Sequence, residues 1–153
     1  MPGPGDRLPL ATLLALFLGY AASYCHRADL PALLPLLEHE AGREALHRAL
    51  PDIASLGMLV YAIGKVVGGL LADRFGGRRM FVLALAGAAV AEGCATLCSG
   101  PVAFAACRTA GMLVLGCAWP AVGHVAAAVS PALRLGAVMA FLSQSYLLGD
   151  AVV

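Results

Sequence analysis

The chain has 153 residues, 61% hydrophobic and 12% charged, with a net charge of +1 and a mean hydropathy of +0.86. Soluble domains carry about a quarter charged residues, so this composition excludes an ordinary soluble globule. Near-neutral charge without a basic patch among aromatics likewise excludes nucleic acid as a partner.

The predicted elements are apolar runs long enough to cross hydrocarbon, which takes roughly 18 residues or more. After a short Pro/Gly lead-in over residues 1–6, the first run covers 8–37, and its only charge-bearing residues are His26, Arg27 and Asp29. Arg7 precedes it as in a signal peptide, but the run is too long and ends in no small-residue cleavage site, so it is read as a retained helix. Residues 38–52 form a connector, more acidic than basic, with charges at helical spacing over Glu38–Leu50; a solvated link is expected there. The second run is 53–72, the third 80–97, the fourth 102–129 and the fifth 133–153. Backbone polar groups in hydrocarbon must be satisfied within the segment, so these runs are helices. No period-two alternation suggests a membrane barrel. The fold class is an all-α integral membrane protein.

The connections orient it. Residues 73–79 hold three arginines against one aspartate, and Arg134 marks the turn before the fifth run, whereas Ser99-Gly100-Pro101 is uncharged. The positive-inside rule places the N-terminus and the Arg-bearing turns in the cytoplasm. Alanine- and glycine-rich composition suggests a GC-rich coding sequence, and a bacterial inner membrane is the expected location.

Cysteines at 25, 94, 98, 107 and 117 form no C-x-x-C pair and no His/Cys cluster of metal spacing, so no metal or cofactor is expected. Gly57, Gly64, Gly68 and Ala72 lie near one face of the second helix, where small residues let another helix approach closely; Gly116 and Gly123 suit the same role in the fourth.

The buried charges need another account. A cation at mid-bilayer costs about 3 kcal/mol on the mildest scale. Lys65 stands eight residues before Asp73, roughly 12 Å of helix, so snorkelling brings its amine only part of the way to water. A salt bridge to Asp29 is the structural alternative. Tyr20, Tyr24 and Arg27 share one face of the first helix, and Tyr61 and Lys65 one face of the second. Two facing cations repel unless an anion sits between them. A guanidinium fork, an ammonium and phenol hydroxyls together suit phosphate or carboxylate. No Ser-His-Asp or paired-carboxylate arrangement is present, and His26 and Asp29 are the only first-helix candidates for acid–base work, so an enzyme is not expected. Glu92, alone in the third run, either carries a coupling proton or pairs with Arg108; pairing is the favoured reading.

The stretch "GLLADRFGGRR", Gly69 to Arg79, resembles the signature between the second and third helices of the major facilitator superfamily, with Asp73, Arg74, Gly76, Arg78 and Arg79 at its positions. "CRTAGMLVLG", with Arg108, is similar to that superfamily's R-x-x-G pattern. Within it the chain looks most like the organophosphate:phosphate antiporters, the group of the glycerol-3-phosphate, hexose-phosphate and glucose-6-phosphate carriers. Tyr20, Tyr24 and Arg27 match the first-helix pattern, Tyr61, Lys65, Gly69 and Asp73 the second, and Gly116, Trp119, Pro120, Gly123 and His124 the fourth. The resemblance implies that Arg27 grips phosphate, Lys65 is the second cation, and Tyr20, Tyr24, Tyr61 and Trp119 line the pocket. It also implies that the Gly69–Arg79 motif helps control alternating access. Ser145 stands where some members have a histidine that assists binding.

The implied activity is exchange of a phosphate ester for inorganic phosphate. A carboxylate symporter of the same superfamily, a sugar-phosphate sensor and a non-transporting truncated product are the alternatives. Members have two six-helix halves with the substrate between them. The chain is therefore expected to be a partial N-terminal half with about five transmembrane helices, with a C-terminal half or a partner chain supplying the rest.

Overall fold

The computed structural model describes residues 10–24, 43–98 and 101–152. Cys25, His26, Arg27, Asp29 and the rest of the first predicted run, with residues 38–42, lie outside the described residues. The elements in order are α1 (Leu10–Tyr24), α2 (Arg43–Phe75), α3 (Gly77–Leu97), α4 (Pro101–Gly116), α5 (Ala118–Val129), α6 (Ala132–Ser143) and α7 (Ser145–Val152). Among the described residues there is no strand. Four stretches have the length and apolar character to cross a membrane: Ala54–Phe75, Gly77–Leu97, Val102–Val129 and Ala132–Ala151. The architecture is the expected all-α one.

Several boundaries differ from the sequence expectation for local reasons. The connector expected over 38–52 is helical from Arg43 onward, continuous with α2. Pro51 lies inside α2 and removes the one hydrogen bond its N–H would have given. The 33 residues of α2 make it about 50 Å long, against about 30 Å of hydrocarbon, so its N-terminal part stands beyond the span.

The third helix starts at Gly77, three residues earlier than expected, because the turn after α2 is confined to Gly76. Gly76 has φ +88° and ψ 134°, a backbone conformation that side chains with a Cβ rarely adopt. The fourth run breaks at Cys117 into α4 and α5. Pro120 removes the donor for the Gly116 carbonyl, and the chain tightens, with the Cys117 N–H donating to the Val114 carbonyl at 3.1 Å. The fifth breaks at Gln144 between α6 and α7. The Ser143 and Ser145 hydroxyls on either side donate to the carbonyls of Ala140 (2.8 Å) and Leu142 (2.6 Å), a competition that bends helices.

The helix α5 is central. Ala118, Ala121, Val122 and Ala126 are fully buried, packed with Leu13, Leu16 and Tyr20 of α1, Met80, Phe81 and Ala84 of α3, and Val138 and Leu142 of α6. Opposite, α2 and α4 meet through glycines. A Cβ on Gly64 would collide with the Leu113 carbonyl, one on Gly68 with the Cys117 backbone, and one on Gly116 with the Tyr61 carbonyl. Gly57 and Gly123 have only ordinary contacts, at 3.7 Å to Met112 and 3.9 Å to Met139. The small-residue face expected on α2 is thus the α2–α4 interface, and of the two glycines of the fourth run only Gly116 belongs to it. The Cys117 thiol closes the seam by donating to the Gly64 carbonyl at 3.3 Å.

Candidate functional site

The close α2–α4 approach sets where Tyr61 can stand. It is 8% exposed and packs with Ala88 and Leu115 while its hydroxyl reaches across to α1. There Tyr20, 6% exposed, brings its Oη to 3.5 Å from Tyr61 Oη. The Tyr20 ring meets Tyr24 edge-on at 5.5 Å between centroids and lies at 4.9 Å from Trp119 of α5. Tyr24 in turn lies 6.1 Å from Tyr146 of α7. α7 comes this close because Gly149 has no side chain: a Cβ there would collide with Tyr24 and the Ala21 carbonyl. One turn beyond Tyr61, Lys65 holds its Nζ 4.8 Å from the Tyr61 ring centroid, a cation–π contact.

The structure therefore brings together five of the expected residues, Tyr20, Tyr24, Tyr61, Lys65 and Trp119, from α1, α2 and α5. All four tyrosines of the chain join the cluster, because Tyr146 completes it. Sequence reasoning missed Tyr146, since no buried charge on its own helix face marks it; its signal was only adjacency to Ser145. Ser145 is 0% exposed, with its hydroxyl given to the Leu142 carbonyl. Arg27 lies outside the described residues.

The Gly69–Arg79 motif occupies the other end of α2. Gly69 faces Pro120 of α5, with room for a Cβ at 3.9 Å. Asp73 Oδ1 lies 3.9 Å from His124 Nε2 of α5, a contact that carries charge on both sides only when the imidazole is protonated. Gly77 lies against the Ala121 carbonyl and the His124 side chain, where a Cβ would come within 2.7 Å of the carbonyl oxygen and 2.9 Å of the His124 Cβ. The Arg74 guanidinium stands 5.7 Å from the Phe75 ring centroid, in the last turn of α2, where the helix dipole favours a cation. Arg78 and Arg79 are exposed in the first turn of α3, where the dipole disfavours them by up to about 1 kcal/mol each. Helix stability does not explain that placement.

A second polar group bridges α3 and α4. Arg108, 4% exposed, places Nη1 3.3 Å from both carboxylate oxygens of Glu92, which is 25% exposed. The pairing favoured for Glu92 is present.

A family model described as "Major Facilitator Superfamily" matches residues 12–152. The chain belongs to that superfamily. It is thus a membrane-transporter chain, integral and multi-pass, and its helices fit a partial superfamily fold. No curated protein and no solved structure matches it. Among the described residues no group of His, Cys, Asp and Glu could hold a metal ion.

Proposed function

We propose that this superfamily member carries organic anions, a phosphate ester in exchange for inorganic phosphate, with the anion held on the face where Lys65 meets the tyrosine cluster. The observation that carries this reading is the chain of contacts Lys65–Tyr61–Tyr20–Tyr24 across two helices. A cation beside phenol hydroxyls, backed by an indole, offers charge and neutral donors to an anion, and the rings offer an apolar wall to its carbon skeleton. Arg27, three residues after Tyr24, supplies the second cation in this reading. Trp119 lines the cluster, and Ser145, next to Tyr146 in the chain, belongs to the binding region in this reading.

Lys65 is exposed on α2 together with Ile63 and Val66. Lipid around a mid-span ammonium is costly, so this face meets a second half-domain, on the same polypeptide or a partner, with the anion between the two halves. Anion binding neutralises charge that otherwise opposes closure, and rocking about the site exposes it to the other side. Asp73, Arg74, Gly76, Arg78 and Arg79, with Gly69 at the helix contact, control that movement on the cytoplasmic side of a bacterial inner membrane, the side on which the N-terminus also lies.

The test is exchange in proteoliposomes containing the protein together with its second half. Arg27→Ala is expected to abolish phosphate-driven uptake of a phosphate ester, and normal exchange in that variant removes the reading. Uptake of carboxylates alone, driven by a cation gradient, points to the symporter alternative. Ligand affinity without flux points to a sensor.

A further inference from the structure

The α3–α4 end of the bundle, opposite the arginine-rich α2–α3 turn, holds a thiol pair that the transport reading leaves unused. Cys98 caps α3 in an extended conformation (φ −75°, ψ 130°), and Cys107 lies in α4. Their sulfurs are 3.5 Å apart, across a separation of nine residues. The Cys98 thiol is oriented by a second contact, 3.2 Å to the Cys94 carbonyl. Both cysteines are half-buried, whereas Cys94 is exposed and has no sulfur partner of its own among these contacts.

We infer that Cys98 and Cys107 are a thiol modification site, a pair that closes to an intramolecular disulfide by exchange with a disulfide oxidant. A disulfide has an S–S bond of about 2.05 Å, so the sulfurs need approach by only about 1.5 Å. Cys98 stands at the C-cap of α3, just past its last helical residue. In the first step one thiolate attacks a sulfur of the oxidant, forming a mixed disulfide and releasing one oxidant thiolate. The second cysteine's thiolate then attacks the protein sulfur of that mixed disulfide, forming the Cys98–Cys107 bond and releasing the other oxidant thiolate. The two protein thiol protons end on the two released thiols, so the protein is oxidised by two electrons and the oxidant reduced by two. The bridge fastens α3 to α4 beside the Glu92–Arg108 contact. In the orientation proposed above this end faces the oxidising side of the membrane, where disulfides persist; the chemistry itself does not depend on that orientation.

The experiment uses the full chain in lipid nanodiscs, treated with oxidised glutathione, after which free thiols are alkylated and the peptides mapped. The expected result is loss of alkylation at Cys98 and Cys107 only, one peptide pair joining them, and full reversal by a reductant. In Cys98→Ser and in Cys107→Ser no internal bridge is expected, and the cysteine that remains is expected either free or held as the unresolved mixed disulfide with glutathione; Cys94→Ser is expected to form the same bridge. In the unsubstituted chain, a bridge to Cys94 or Cys25, a link between two chains, glutathione retained on either cysteine without closure, or no loss of thiols overturns the inference. The mapping of the unsubstituted chain decides the matter even where a variant fails to fold, and it does so independently of any transport assay.

Discussion

The hydroxyls of Tyr20 and Tyr61 stand 3.5 Å apart across the α1–α2 boundary, both on nearly buried rings. This contact joins the helix that leads toward Arg27 to the helix that carries Lys65. At that separation the pair is a weak hydrogen bond, and membrane hydrogen bonds average only about 0.6 kcal/mol. Its importance is therefore positional: it aims two phenol groups at one place.

Tyr61→Phe keeps the ring and its packing and removes only the hydroxyl. The unfolding midpoint is expected to fall by no more than about 1 kcal/mol equivalent. Affinity for a phosphate ester is expected to fall about fivefold, the effect of one hydrogen bond of about 1 kcal/mol. The chain has a single tryptophan, Trp119, and it touches the Tyr20 ring, so its fluorescence can report binding. Unchanged affinity in this variant places the anion elsewhere.

Lys65→Met separates function from stability. Removing a mid-span cation is expected to stabilise the protein in lipid by up to about 3 kcal/mol. Losing a charged donor to the anion is expected to weaken binding by about 2 kcal/mol, some thirtyfold. Isothermal titration and thermal unfolding of the same preparation measure both. Stabilisation with unchanged binding returns Lys65 to a snorkelling side chain.

Gly64→Ala and Gly93→Ala are chemically the same change at opposite kinds of site. The first drives a methyl group into the Leu113 carbonyl of α4, whereas the second meets nothing within 4 Å. Gly64→Ala is expected to cost about 1–3 kcal/mol of stability by overpacking. Gly93→Ala is expected to be neutral or to gain up to about 1 kcal/mol from helix propensity. Thermal unfolding in one detergent ranks them, and equal midpoints contradict a close α2–α4 seam.

Glu92→Gln removes the carboxylate that faces nearly buried Arg108. Breaking a fully buried ion pair costs about 3–5 kcal/mol, and because Glu92 is partly exposed the expected loss here is about 2 kcal/mol. Arg108→Gln added to Glu92→Gln is expected to recover part of it, which a double-mutant cycle measures. The pH dependence of flux is expected to persist in Glu92→Gln; its disappearance makes Glu92 a proton carrier instead.

The sequence by itself determined the solvent, the helical class and the superfamily, because each rests on a local rule. Apolar run length sets the spans, and the Gly69–Arg79 signature is contiguous along the chain. The grouping of Tyr20 with Tyr24 and of Tyr61 with Lys65 was legible because helical periodicity places each pair on one face before any neighbour is known. The membership of Trp119 came through resemblance to a motif. What only the tertiary structure decided depends on which faces meet. Tyr146 joins the cluster because Gly149 lets α7 lie against α1, and Cys98 finds Cys107 because α3 and α4 pack side by side. His124 reaches Asp73 because α5 packs against α2. These are relations between helices, and the order of residues along one helix carries no record of the distance to the next.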